Sequence, residues 1–171
     1  SFFRKKKQNI YNTLTFFLSA MRVRKFRKED AQKASNIIKR NLLEVNSKKY
    51  TKATVNALIK DSTPARLIEK SKTRHYYIAI ENEQILGIGG YEEANLHTFF
   101  VKPKIHGKGV GKRLMERVLK DAKKEGVKIM HCASTHYADK FYASFGFKRI
   151  REKTVPFYGT TLTFVQMKKR L

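Results

Sequence analysis

The stretch that most restricts the fold runs from residue 96 to residue 133. Leu96–Val101 reads as a strand and Val127–Ala133 as a second, buried one. Between them lies a single amphipathic helix with Val110, Leu114, Val118 and Ala122 at steps of four, stopped by Gly126. Crossover connections are right-handed and return to the same sheet, so the second strand is expected beside the first and parallel to it. Upstream, His75–Ile80, Gln84–Tyr91 and Leu96–Val101 are joined by tight turns, which predicts an antiparallel meander. The expected fold class is therefore α/β (α+β): a mixed, mostly antiparallel sheet with one parallel strand pair, flanked by helices.

The remaining elements fit around this sheet. Met21–Phe26 alternates as a first strand. Glu29 and Asp30 suit the opening of a helix through Asn41 or beyond, with Ala34, Ile37, Ile38 and Leu42 at helical spacing. Thr51–Lys60 carries Val55, Leu58 and Ile59, and Thr63-Pro64 restarts a short helix with Leu67 and Ile68. Thr135–Ser144 reads as a helix, and Phe147–Arg151 and Leu162–Met167 as closing strands. At 171 residues the chain suits one compact domain, read as 21–171. Residues 1–20 differ in character: Arg4-Lys-Lys-Lys precedes an apolar run interrupted by Asn9, Asn12, Thr13 and Thr15. That segment is too short for a membrane span and is expected to be a basic, apolar extension outside the fold, with a membrane-surface anchor as the alternative.

Charge narrows the partners. The net charge of +24 favours anionic ligands, yet the basic residues are scattered through nearly every segment. Weak, sequence-blind association with nucleic acid is expected, fading at physiological salt. The single cysteine, Cys132, excludes an internal disulfide and sits in an apolar run, so it reads as a buried, inert thiol in a cytoplasmic protein. No zinc-ligand spacing is present and no metal is expected.

Gly107, Gly109 and Gly111 stand at alternate positions between strand and helix. Without Cβ atoms the backbone there can approach a ligand closely, and the helix behind it offers unpaired N–H groups and partial positive charge. Lys108 and Lys112 add charge, so the turn reads as a phosphate site. Two other nucleotide signatures fail. A P-loop needs four residues between its glycines and Ser or Thr after the lysine, whereas Gly107 and Gly111 enclose three and Arg113 follows Lys112. The dinucleotide fingerprint needs glycine at Lys112.

The segment His106-Gly-Lys-Gly-Val-Gly, five residues after Val101, resembles the acyl-CoA turn of the GNAT superfamily. Ala138-Asp-Lys-Phe-Tyr-Ala-Ser-Phe-Gly-Phe is similar to the family's later helix and strand, with its tyrosine at Tyr142. The resemblance spans Met21–Leu171 and implies an N-acetyltransferase using acetyl-CoA, in which the parallel pair is splayed to admit the pantetheine arm. It places cofactor contacts at Phe99, Phe100, Val101, His106, Gly107, Lys108, Gly109, Val110, Gly111, Lys112 and Thr135. His106 stands where Gln or Arg is usual, Thr135 where asparagine is frequent, and Asn95 where some members carry a glutamate base.

The chemistry implied is direct attack by a primary amine of a small molecule or peptide. An N–H near Phe99 would face the thioester oxygen, and Tyr142 would protonate the departing thiolate. His97, expected to share a face with Phe99 and Val101, is one candidate base; Glu92 or Glu93 acting through water are the others. Tyr158 is a candidate lining residue of the acceptor pocket. A homodimer stays open. The competing reading is a basic nucleic-acid- or ribosome-associated binding module on the same scaffold.

Overall fold

The computed structural model describes residues 20–135 and 138–171. The extension expected at residues 1–20 falls almost wholly outside them. The elements are β1 Arg22–Lys25, α1 Ala31–Glu44, α2 Lys52–Lys60, α3 Pro64–Lys70, β2 His75–Glu81, β3 Gln84–Glu92, β4 Asn95–Val101, α4 Val110–Lys124, β5 Ile129–Ser134, α5 Asp139–Ser144, β6 Lys148–Phe157 and β7 Thr160–Arg170. They build one sheet in the order β1-β2-β3-β4-β5-β7-β6. Every pairing is antiparallel except β4 with β5.

Helices cover the sheet in two layers. On one face α1–α3 bring Ile37, Ile38, Leu42, Val55 and Leu67 against Ile78 and Ile88. On the other, α4 buries Val110, Leu114, Val118 and Ala122 at 3% exposure or less, the stripe read from the sequence. Each buried Leu or Val stabilises the fold by about 1.5–3 kcal/mol. The helix ends as Gly126 adopts φ +88°, with its N–H bonded to Lys123 O and that of Val127 to Ala122 O. That paired arrangement satisfies the last carbonyls and requires a residue at ease in the left-handed region.

Four elements differ from expectation. The strand read at Val127–Ala133 as buried begins at Ile129 and alternates in exposure, because only one of its faces is covered. The helix read from Thr135 begins at Asp139, after a turn closed by Ala138 N–H to Thr135 O. The closing strands are longer than expected and form one hairpin, Lys148–Phe157 with Thr160–Arg170. Their outer stretches are rich in charge and threonine, so apolar alternation does not mark them.

The start of α1 is held by a part-buried ion pair. Asp30, 5% exposed, accepts from Arg24 Nη1 and Nη2 at 2.7 and 2.8 Å and from Arg27 N–H at 2.7 Å. Burial opposes ionisation, but these donors outweigh it and hold the Asp30 carboxyl below its ordinary pKa. Its contribution is therefore complete above the unfolded value near 3.9 and is lost as pH falls through the lower folded value. Asp30→Asn is expected to cost about 1–2 kcal/mol at pH 7 and to flatten the acid limb of stability, as read from urea melts at pH 3 and 7.

Candidate functional site

The site begins where the sheet fails to close. β4 and β5 share a single register pair, Asn95 with His131, anchored by His131 N–H to Ala94 O at 2.8 Å. β5 then runs beside β7 for six pairs, Ile129–Arg170 to Ser134–Val165. Beyond Asn95 the parallel strands part, leaving Leu96–Val101 and Cys132–Ser134 without register partners in each other.

Within β4, Thr98 has φ +58° and the β3–β4 register shifts between Ile88 and Gly90. A β-branched residue in this region costs about 1–3 kcal/mol, and such strain concentrates at working sites. Its surroundings explain how it is accommodated. A Cβ on Gly89 would lie 2.8 Å from the Phe99 ring, and one on Gly90 would lie 2.6 Å from His75 O. Only glycines let β2, β3 and the bulge approach this closely. Thr98 Oγ1 meets Tyr76 Oη at 3.3 Å.

The bulge breaks the expected alternation. His97 pairs with Gly90, which pairs with Tyr76, so its side chain lies on the α1–α3 face. Phe99 and Val101 pack on the α4 face. His97 therefore does not share their face, contrary to the sequence reading, because left-handed Thr98 inserts one residue into the two-residue repeat. Burial, followed by the charge of Arg74, pushes the half-buried His97 down to about 4, so its imidazole is neutral at pH 7.

Past the bulge, Lys102 N–H bonds Leu86 O at 2.8 Å, which turns the polar groups of Lys102 and, by alternation, Phe100 toward β3. Those of Phe99 and Val101 then face away from β3, on the side of the gap. Val101 O already accepts from Asn41 Nδ2 at 2.7 Å and contacts His106 Nε2 at 2.9 Å. Asn41, 4% exposed on α1, was not singled out by sequence; an asparagine beside the apolar stripe of a helix was the available signal.

At the end of β4 the glycine turn meets the first turn of α4. Gly107 and Gly109 have φ +79° and +83°, and a Cβ on either would meet nothing within 4 Å. Gly109 caps the 15-residue helix, and the N–H groups of Val110, Gly111 and Lys112 have no carbonyl one turn back. The missing side chain of Gly111 also serves packing, since a Cβ there would come 3.1 Å from the Phe141 ring. Lys108 is exposed, and Lys112 lies 3.9 Å from Glu116. Thr135 follows β5, its carbonyl accepting from Ser134 Oγ at 2.8 Å.

Tyr142 lies 7% exposed with edge-on contacts to Phe99, Phe141 and Phe147 at 6.5, 5.4 and 5.8 Å between centroids. Burial first, then nearby Cys132, raises its hydroxyl well above the ordinary tyrosine value, so it keeps its proton. Cys132 is buried and its thiol is pushed up to about 12, the inert state expected. Glu92 accepts from Arg74 Nε at 3.0 Å, and bonds from Thr73 and Arg74 hold its carboxyl below the ordinary range. Glu93 is exposed in the β3–β4 turn at φ +51°. Tyr158, 54% exposed at the β6–β7 turn, donates to Asp61 Oδ1 at 2.8 Å and so ties that turn to the α2–α3 loop. No cluster suited to a metal occurs among the described residues, and no helix among them is long and apolar enough to cross a membrane.

The acetyltransferase (GNAT) domain family matches residues 27–171. Among solved structures, a GCN5-related N-acetyltransferase from Rhodopseudomonas palustris aligns with TM-score 0.83 and 21% identity, over 90% of this chain and 98% of that one. The PaiA N-acetyltransferase from Thermoplasma acidophilum, solved with coenzyme A, aligns with TM-score 0.76 and 19% identity over 89% and 99%. The YncA structure from Salmonella typhimurium, solved with its cofactor acetyl-CoA, gives 0.64 and 21% over 88% and 94%. No curated protein matches significantly.

Proposed function

Because the chain belongs to the GNAT acetyltransferase family, we propose that it transfers the acetyl group of acetyl-CoA to a primary amine by direct attack. The observation that carries this reading is a gap between parallel strands with a strained bulge on one side and a glycine turn at its end. When bound, acetyl-CoA supplies a thioester whose C–S bond breaks as the C–N bond to the amine forms, the sulfur taking one proton.

The chain's own groups divide the work. N–H groups of Gly109–Lys112, with Lys108 and Lys112, hold the pyrophosphate. Phe99 N–H polarises the thioester oxygen, and one such donor is worth on the order of 3 kcal/mol in the transition state. Tyr142 delivers the proton to sulfur from Oη. The amine enters from the α1–α3 face, where its proton goes directly to His97, whose burial keeps the imidazole neutral but also weakens it as a base, or to Glu92 or Glu93 through water. Glu92 is the weaker candidate, since Arg74 already occupies it.

Acetyl-CoA at 100 times its Kd is expected to stabilise the fold by about 2.7 kcal/mol, roughly a 5–10 °C rise in Tm for a domain of this size. Thermal shift checks binding, and thiol release with a panel of primary amines checks transfer. Absence of both would remove the proposal.

A further inference from the structure

Beyond the gap, α2 and Tyr50 reach β7 near its start, at Thr161 and Thr163, and the stretch formed by Ile129–Ala133 and Gln166–Arg170 is covered on one face only. Met130 and Cys132 of β5 and Val165 and Met167 of β7 are buried on the α4 side. Their neighbours point to the opposite face, where no residue of β5, β6 or β7 belongs to the apolar cluster under α1–α3. Ala133 is exposed and Ile129 is 46% exposed, although β5 has a strand on either side.

Register establishes what shares this bare face. Lys148 lies opposite Lys168, which lies opposite His131; Arg151 lies opposite Gln166, which lies opposite Ala133; Arg170 lies opposite Ile129. Like charges directly opposed across a ladder are destabilising, yet Lys148, Arg151, Lys168 and Arg170 gather here. The one carboxylate in β5, β6 and β7 is that of Glu152, which pairs with buried Val165 and meets Arg149 at 4.0 Å on the other face. At its inner end the bare face continues to exposed Asn95, opposite His131, and stops at half-buried His97 beside the gap. His131 Nδ1 is buried there with no hydrogen-bond partner among the described residues.

We propose that the acceptor is the amine of an acidic peptide, laid extended across this face with its carboxylates against Lys148, Arg151, Lys168 and Arg170. This rests on the amine-transfer reading above. Lys168 and Arg170 stand two residues apart on β7, about 6.8 Å, and Lys148 lies across from Lys168 at about 4.8 Å between strands. The register shift brings Arg151 opposite Gln166, two residues before Lys168. Alternate side chains of an extended peptide repeat at the same 6.8 Å, so carboxylates at every second residue meet successive cations. Nucleic acid fits less well, because its binding surfaces add aromatic rings for base stacking, and no exposed aromatic side chain lies on these strands outside the β6–β7 turn.

The test compares synthetic peptides of equal length, each with one free amine followed by alternating Asp or Glu, alternating Gln, or alternating Arg. Low salt is used, with a simple primary amine alongside. The acidic peptide is expected to show about tenfold higher kcat/KM than the Gln peptide, falling toward equality at 0.5 M salt. In the Lys148→Glu/Lys168→Glu double variant, at exposed positions, the order is expected to invert in favour of the Arg peptide. Fluorescence anisotropy of the labelled acidic peptide on the parent protein, at low and high salt, gives a readout independent of turnover and of how well the variant folds. Equal kcat/KM for acidic and Gln peptides, or a preference untouched by salt, overturns the proposal while turnover of the simple amine leaves the transfer reading standing. Displacement of the acidic peptide by a lower concentration of an RNA oligonucleotide of equal charge also overturns it. Failure to acetylate any amine removes the transfer reading first, and this proposal with it.

Discussion

Tyr142→Phe is expected to lower kcat by about 10²-fold while leaving acetyl-CoA binding unchanged, when assayed under single-turnover conditions with a confirmed amine acceptor. The ring contacts with Phe99, Phe141 and Phe147 are kept by the substitution, so packing is preserved. The hydroxyl alone is removed. Burial keeps it protonated past the ordinary tyrosine value, so at pH 7–9 it stands ready as an acid and not as a base. A thiolate is a tolerable leaving group, which places the loss toward the lower end of the 10²–10⁴ usual for a proton donor. Turnover within about threefold of the parent, less than 1 kcal/mol in the barrier, would show Tyr142 to be a core aromatic without an acid role.

Gly109→Val is expected to abolish the thermal stabilisation by acetyl-CoA. The residue holds φ +83°, where a β-branched side chain is strained by about 1–2 kcal/mol, although nothing crowds the space around it. That strain is relieved by moving the turn, and moving the turn redirects the N–H groups of Val110, Gly111 and Lys112. Gly126→Val is the matched control: it has φ +88° and equally open surroundings, at the opposite end of the same helix. Both variants should lower the Tm of the free protein by a few degrees, and only Gly109→Val should lose the ligand shift. An undiminished shift in Gly109→Val would remove this turn from the cofactor site.

Much of the scaffold around the site was legible before the fold was known. The apolar stripe Val110, Leu114, Val118, Ala122 repeats at the helical period, and all four residues are buried in α4. Gly126 reads as a stop because it is one, and the parallel pairing of β4 with β5 follows from the crossover between them. Such signals are short-range: a few residues decide a period, a cap or a turn, and chirality decides how the strand returns. The hairpin of β6 and β7 was harder to bound, since Arg149, Arg151, Thr154 and Thr163 lie along exposed stretches where no core imposes a pattern.

The bulge was decided by pairing between strands distant in the chain. Gly89 and Gly90 were visible as glycines in a strand, but what they make room for is the Phe99 ring and the close approach of β2, neither of which is adjacent in sequence. Thr98 could adopt φ +58° only once that space existed, and its turn sent His97 to the face opposite Phe99. The contact of Asn41 with Val101 O joins residues 60 apart, and the low pKa of His97 arises from desolvation and then the charge of Arg74, 23 positions earlier in the chain. Periodicity and turn chemistry therefore specified the elements and their order. Which side chains converge at the gap, and in which protonation state, was set by nonlocal packing, because one inserted residue in β4 reverses a face and desolvation exists only after the layers have closed.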